Sequence, residues 1–249
     1  MKILRKLQAV ALERAGSLVV EDFAIGVGLV GVKLSDGSCG VAYNLRQDFL
    51  GQCEEFSSGR GEEYSLLLRP GMKASDFVKA YAHENPIARS LGLATINALL
   101  NRGDFQEGDV LEFLNIRPGC RVGMIGEIGP IAMQLMARGC DVLIFERNRR
   151  RSQLSDWAIT THLESCDVVI ISASSLANWT IEWVIDYVST EEVAIVGPSA
   201  SMVRGIFPVK VIGGTKILNA DGLLNALSKG IGTAGIYSMK LAKKVNLIT

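Results

Sequence analysis

The chain reads as an α/β protein, with a Rossmann-like parallel-sheet domain in its C-terminal part and a smaller α+β domain before it. Three observations predict this. From Arg121 onward, short β-branched runs alternate with helical periodicities, the pattern of a parallel sheet with helices on both faces. The segment Arg121-Val-Gly-Met-Ile-Gly-Glu-Ile-Gly-Pro130, followed by Glu146-Arg147-Asn148, reads as strand, glycine turn, helix and a second strand ending in an acid. That is the opening of a βαβ unit, which places a ligand at its turn. Before Arg121 the pattern differs: helix, hairpin, strand, then helices.

Residues 2–15 carry Ile3, Leu4, Leu7, Val10 and Ala11 on one helical face. Residues 22–34 form an apolar, β-branched strand. Ser35-Asp36-Gly37-Ser38 separates it from a second strand over 39–45, a hairpin signal. Gly26, Gly28 and Gly31 imply a bent strand or a close backbone approach. Residues 46–63 are polar and read as a loop, and Tyr64–Leu68 as a short strand ended by Pro70-Gly71. Ser75 and Asp76 cap a helix over 76–83. Asn85-Pro86 starts a longer helix reaching Leu100, with proline in its first turn.

The boundary is placed near Pro118-Gly119, giving domains 1–117 and 118–249. In the second domain, strands are expected at 121–125, 141–145, 167–171, 193–196 and about 209–212. Helices are expected near 130–138, 178–188 and 221–228. A last amphipathic helix over 234–245 could return to the first domain.

Composition bounds the function. The chain has 249 residues, 48% hydrophobic, with 26 basic and 26 acidic side chains. No global positive field argues for nucleic acid or an anionic membrane; the run Arg147, Arg149, Arg150, Arg151 is the local exception. No apolar stretch reaches transmembrane length, and the N-terminus lacks a signal peptide's apolar core, so a cytoplasmic location is expected. Cys39, Cys53, Cys120, Cys140 and Cys166 form no CxxC and are expected to be reduced thiols.

Two kinds of candidate site emerge. Gly126 and Gly129 supply only G-x-x-G. The middle glycine of a dinucleotide fingerprint is missing, and Glu127 would repel a phosphate there. Glu146 stands where an acid binds a ribose hydroxyl, so NAD(P) or S-adenosylmethionine at Gly126, Gly129 and Glu146 stays open. The second kind is a pair of small-polar segments after successive strands. Ser174, Ser175, Asn178 and Thr180 follow one; Gly197, Pro198, Ser199 and Ser201 follow the next. Both fall at carboxyl ends of parallel strands, where hydroxyls and helix N–H groups can hold a polar ligand. Serine, threonine and asparagine are also ordinary helix caps. His83 and His162 are the only histidines, in no metal-ligand spacing. No G-x-S-x-G nucleophile occurs.

Taken together, Gly126-x-x-Gly129-Pro130, Glu146-Arg147-Asn148, Ser174-Ser175-Leu-Ala-Asn178-Trp-Thr180 and Gly197-Pro198-Ser199-Ala-Ser201 resemble a family of unknown function, described as putative heavy-metal chelation proteins. Ser90-Leu-Gly-Leu-Ala-Thr-Ile-Asn97-Ala-Leu looks like the end of its companion N-terminal domain. The resemblance spans essentially the whole chain. It implies an enolase-N-terminal-like domain before a Rossmann-like one, with the site in the cleft between them. It also implies a histidine in the glycine turn of relatives. Glu127-Ile128 stands there instead, and a carboxylate there would suit a hard metal ion.

The expected function is therefore a small-ligand-binding protein that binds or processes a metal ion or metal-chelating metabolite in an inter-domain cleft, enzyme or not. In that cleft Asn97 fixes orientation. Glu127 binds a cation or acts as base. The serines and Asn178 hold an anionic group. The alternatives are an NAD(P)- or S-adenosylmethionine-dependent enzyme and a non-catalytic regulatory or scaffold protein. Homo-oligomerisation is compatible with either.

Overall fold

The computed structural model describes residues 2–45, 68–147 and 153–249. Helix α1 (Ile3–Ala15) buries Leu4, Leu7, Ala11 and Ala15, one face at helical spacing. It has no acid in its first turn and no capping side chain of its own. Glu182, remote in sequence, does that work: its carboxylate accepts from Lys2 N (2.9 Å) and Leu4 N (2.8 Å).

Strands β1 (Val20–Ile25), β2 (Leu29–Leu34) and β3 (Cys39–Tyr43) form an antiparallel sheet in that order. The single strand expected over 22–34 is thus two. The chain reverses at Gly26-Val27-Gly28, where Gly26 N donates to Leu29 O at 2.9 Å. The run reads as continuous because β2 is buried along nearly its whole length and lacks alternation. The Asp36-Gly37 hairpin forms as expected, with Gly37 left-handed (φ 82°) and Asp36 accepting from Ser38. Of the expected strand at 64–68, residues 64–67 lie outside the described residues, as does the loop over 46–63. Leu68 is not in a strand.

Helix α2 (Ala74–Ala80) begins before the expected Ser75-Asp76 cap, because Val19 and Lys73 pair as a β-bridge and fix the chain there. Helix α3 (Pro86–Leu100) runs as expected, Asn85 Oδ1 accepting from Ile87 N and Ala88 N. Twelve of its residues are buried. It lies so close to β3 that a methyl on Gly40 would sit 2.2 Å from Ala98 N and 2.3 Å from Ala94 O.

The second sheet has seven strands. In chain order these are β4 (Arg121–Ile125), helix α4 (Gly129–Ala137), β5 (Asp141–Glu146), the two-residue β6 (Leu154–Ser155), helix α5 (Ile159–His162), β7 (Val168–Ser172), helices α6 (Ser174–Ala177) and α7 (Ile181–Val184), β8 (Val193–Val196), β9 (Val211–Ile217), helices α8 (Ala220–Ser228) and α9 (Thr233–Ser238), and β10 (Ala242–Ile248). Their order is β10-β9-β8-β7-β4-β5-β6. All neighbours are parallel except β9 and β10. Counted from β4, the first six strands follow the 3-2-1-4-5-6 order of doubly wound sheets. Residues Val168 to Ile171 are wholly buried, as a strand covered on both faces must be.

Two expected helices are corrected. The one over 178–188 forms only as α7 and a tighter turn over Ile185–Tyr187, and α6 precedes it; Trp179, which is left-handed (φ 65°), separates the two helices. Its ring lies 3.8 Å from the Arg89 guanidinium and meets Tyr81 edge-on, and these contacts reward the turn. The helix over 234–245 is instead α9 and then β10. Lys240, also left-handed (φ 54°), ends the helical part. Seven residues then pair with β9, an edge partner that no local periodicity reveals.

The two sheets share one core. A single cluster runs from Leu4 and Leu7 through α3 to Ile171, Leu176 and Leu247. Helix α8 packs on β1 and β2, its Leu223, Leu224 and Leu227 joining Ala24, Leu29 and Val41. In the connection between the sheets, Val110, Leu111 and Leu114 pack against Val122, Met124 and Val211. Glu192 holds that connection, accepting from Asn115 N (2.8 Å) and Lys210 Nζ (2.6 Å). Burial pushes the Glu192 carboxyl up, but these hydrogen bonds and the Lys210 charge outweigh it and hold it below the usual range.

Gly40→Ala should cost about 3 kcal/mol, the upper end of overpacking, while Gly28→Ala, whose methyl would meet nothing within 4 Å, should stay within about 0.5 kcal/mol of wild type. Urea unfolding distinguishes them; equal shifts would contradict the packing described. The depressed Glu192 contributes stability above the ordinary glutamate range, lost as pH falls through its folded value. Glu192→Gln should therefore lose less stability than wild type between about pH 6 and pH 3; parallel curves would remove Glu192 from the acid transition.

Candidate functional site

In a doubly wound sheet, a gap opens where the strand order reverses, because the chain leaves two neighbouring strands towards opposite faces. Here that point lies between β4 and β7, and a crevice of about 70 Å³ opens there. The carboxyl ends of three strands supply its floor: Ile125-Gly126 from β4, Phe145-Glu146-Arg147 from β5, and Ser172 from β7. Ser174, Ser175, Asn178 and Thr180 close one side, and Asp156 with Ile159 another.

Ser175 is 3% exposed, and its Oγ has no hydrogen-bond partner among the described residues. Such a group costs about 1–3 kcal/mol when left dry, so it points to a ligand or water as its partner. The other polar groups are held in place by one another. Ser172 Oγ and Ser174 Oγ lie 3.0 Å apart. Asn178 Oδ1 accepts from Thr180 N and Thr180 Oγ1, which fixes the orientation of the amide. Gly126 is left-handed (φ 77°), and a Cβ there would meet Ser172 Cβ at 2.9 Å. The crevice therefore requires glycine at this position.

The glycine turn does not present itself to phosphate. Glu146 Oε2 accepts from Glu127 N (3.1 Å), and Glu146 Oε1 accepts from Arg147 N (2.9 Å). A backbone N–H that would cradle a pyrophosphate is already bound to the protein's own carboxylate. Gly129 opens α4 and meets nothing on its Cα face. Arg147 pairs with Asp156 at 3.6 Å; Asn148 and Arg149 to Arg151 lie outside the described residues.

The remaining expected site residues go elsewhere. Glu127 is exposed, does not line the crevice, and accepts from Gln153 Nε2 (2.7 Å). Asn97, Ser199 and Ser201 are buried and bond to one another. Asn97 Nδ2 donates to Val41 O and Ser199 O, Ser201 Oγ donates to Asn97 Oδ1 (2.6 Å), and Tyr43 N donates to Ser199 Oγ (2.7 Å). Gly197, left-handed at φ 140°, and the half-buried Pro198 lead into this knot. The loop after β8 thus joins the two sheets, and none of its residues lines the crevice. Ser172, which opens the small-polar segment read from the sequence, does line it, and Asp156 and Ile159 line it without being singled out from the sequence. Asp156 could not have been found, because β6 is too short to read.

Among the described residues, no three of His, Cys, Asp or Glu stand close enough to hold a metal ion. Nor are the thiols near the sheet core nucleophiles: burial pushes Cys166 up to about 11 and Cys39 up to about 12. Cys53 lies outside the described residues. His83 Nδ1 accepts from Asn85 N, capping a turn, and His162 is exposed.

Residues 109–246 match a family described as "Putative heavy-metal chelation", and residues 9–100 match a second family of the same description. The chain belongs to that chelation family. An uncharacterized protein of Methanocaldococcus jannaschii is 25% identical over 199 residues, covering 74% of this chain and 72% of its own. A crystal structure of a family member of unknown function from Pyrococcus horikoshii superposes with TM-score 0.84, at 24% identity over 99% of this chain and all of its own. A second member, from Desulfitobacterium hafniense, gives 0.79 at 18% identity, covering 99% and 98%. These structural likenesses show the fold. The residues described here do not assemble a first coordination shell for a bare metal ion, so the family's description finds no ready-made metal centre among them.

Asn97→Ala would strand Ser201 Oγ and two backbone carbonyls. It should cost about 3 kcal/mol in urea unfolding; a loss below about 1 kcal/mol would show that the knot does not hold the sheets together.

Proposed function

We propose that this protein binds a small polar organic ligand, free or carrying a chelated metal, in the crevice at the carboxyl ends of β4, β5 and β7. The observation that carries this is Ser175 Oγ, buried and without a partner among the described residues, in a crevice that sets Ser172, Ser174, Asn178, Thr180 and Glu146 beside the apolar Ile125, Phe145, Ile159, Trp183 and Val184. A chelated ion brings its own ligands. The protein then needs only to recognise the chelator's hydroxyls and carbonyls, which serines, Asn178 and Glu146 can do. This reconciles the family's description with the missing coordination shell.

The ligand's charge follows from Glu146. With that carboxylate on the turn, a pyrophosphate would meet like charge at the place where dinucleotides normally gain most. A nucleoside part without phosphate, as in S-adenosylmethionine, remains compatible, because Glu146 lies at the end of β5 where an acid meets ribose hydroxyls.

Native mass spectrometry on the gently purified full chain should reveal an organic mass, with or without metal. Ser175→Ala should lower its affinity about tenfold, one hydrogen bond, while raising stability by about 1 kcal/mol, since a dry hydroxyl is removed. Stoichiometric metal with no organic mass, or an unchanged affinity in Ser175→Ala, would sink the proposal. Glu146→Gln tests the charge argument by calorimetry: NAD should bind about tenfold tighter, or more, to the variant than to wild type, and equal affinity would remove the charge argument.

A further inference from the structure

Two thiols far from the crevice lie side by side. Cys120 immediately precedes β4, and Cys140 immediately precedes β5. These strands are parallel neighbours with Arg121 opposite Asp141. The ladder continues one residue back, since Asp141 N donates to Cys120 O at 2.9 Å. Register therefore places Cys120 opposite Cys140 at the amino-terminal edge of the sheet, and paired residues of parallel strands point to the same face. Both side chains do pack on the same hydrophobic cluster, that of Val122 and Leu135.

Each cysteine follows a left-handed glycine, Gly119 (φ 83°) and Gly139 (φ 78°). The chain thus enters both strands through the same Gly-Cys turn. The two sulfurs share one backbone residue: Cys120 Sγ accepts from Arg117 N at 3.4 Å, and Cys140 Sγ donates to Arg117 O at 3.7 Å. Both thiols are free and half-buried. Burial and the neighbouring Cys120 push the Cys140 thiol above its ordinary value, and the charge of Arg138, at the end of α4, acts the other way.

We propose that Cys120 and Cys140 form a two-coordinate site for a soft, thiophilic ion of the copper(I) class. Thiolates are the ligands such ions prefer, and two suffice. A tetrahedral zinc site needs about four protein ligands, and no third His, Cys, Asp or Glu joins this pair among the described residues. On binding, each thiol gives its proton to solvent and forms one metal–sulfur bond. Two thiolates and a monovalent cation leave one negative charge, which the Arg138 guanidinium opposes. No electron is transferred. The site is independent of the crevice and of the function proposed for it.

The test is anaerobic titration of the reduced full chain with copper(I) against bicinchoninate as competing chelator. Wild type should hold one copper(I) per chain. Cys120→Ser and Cys140→Ser should each weaken it at least 100-fold, and Cys166→Ser should leave it unchanged. X-ray absorption on the loaded protein should show two sulfur neighbours. Equal affinity in wild type and both serine variants would overturn the site. So would a Cys120–Cys140 disulfide that forms in air and, once reduced, takes up no copper(I), which would leave the pair as a redox couple only.

Discussion

The structure hangs on how helix α3 is buried. Packed against both β2 and β3 and against α1 and α2, it leaves no room for a side chain at Gly40. A helix enclosed in this way should be apolar throughout, yet it carries Asn97 at 1% exposure. Its amide must therefore find partners inside the protein. It finds them on β3 and on the loop after β8, so the requirement to satisfy one buried side chain ties the antiparallel sheet to the parallel one. Asn101 extends the tie, donating to Ala200 O and accepting from Met202 N.

That joint has a consequence for the crevice. The loops after β7 and β8 are both small and polar, and both follow parallel strands. Only one is available to a ligand, because the other is consumed in holding the sheets together. The available loop is itself braced by the helices beside the first sheet: Tyr81 OH, at the end of α2, donates to Leu176 O (2.6 Å), and Arg89 of α3 lies on Trp179. The side chains facing the crevice are thus positioned by residues some 90 positions earlier in the chain. Recognition groups held by packed neighbours lose little freedom on binding, which is how a small crevice can still be selective.

The family's description and the residues of the crevice pull in different directions. The description speaks of chelation; the crevice offers hydroxyls, an amide and a carboxylate already engaged with backbone N–H groups. A site recognising a chelator satisfies both. Glu146 is the informative residue: its placement suits a ribose, while its hydrogen bond to Glu127 N occupies the place of a phosphate. The degraded glycine motif and the acid twenty residues later are two parts of one arrangement.

Much of this was legible before any coordinates. Alternating apolar runs from Arg121 determined the parallel sheet, because strands buried on both faces leave continuous β-branched stretches. Asn85-Pro86 determined where α3 begins, because an asparagine cap and a first-turn proline act locally. The β4–turn–α4 order around Gly126 was equally local. Other features were settled only by tertiary contact. β10 looks helical by itself and becomes a strand because β9 offers a free edge. The helix after β7 breaks because Trp179 gains an arginine from α3 and a tyrosine from the end of α2. Ser199 and Ser201 resemble ligand groups until Asn97, about a hundred residues away, is found to claim them. Local patterns determine which element a segment can form, because caps and turns act within a few residues. Which polar groups are left over for a ligand depends on what every other buried polar group has already taken, and only the folded chain decides that.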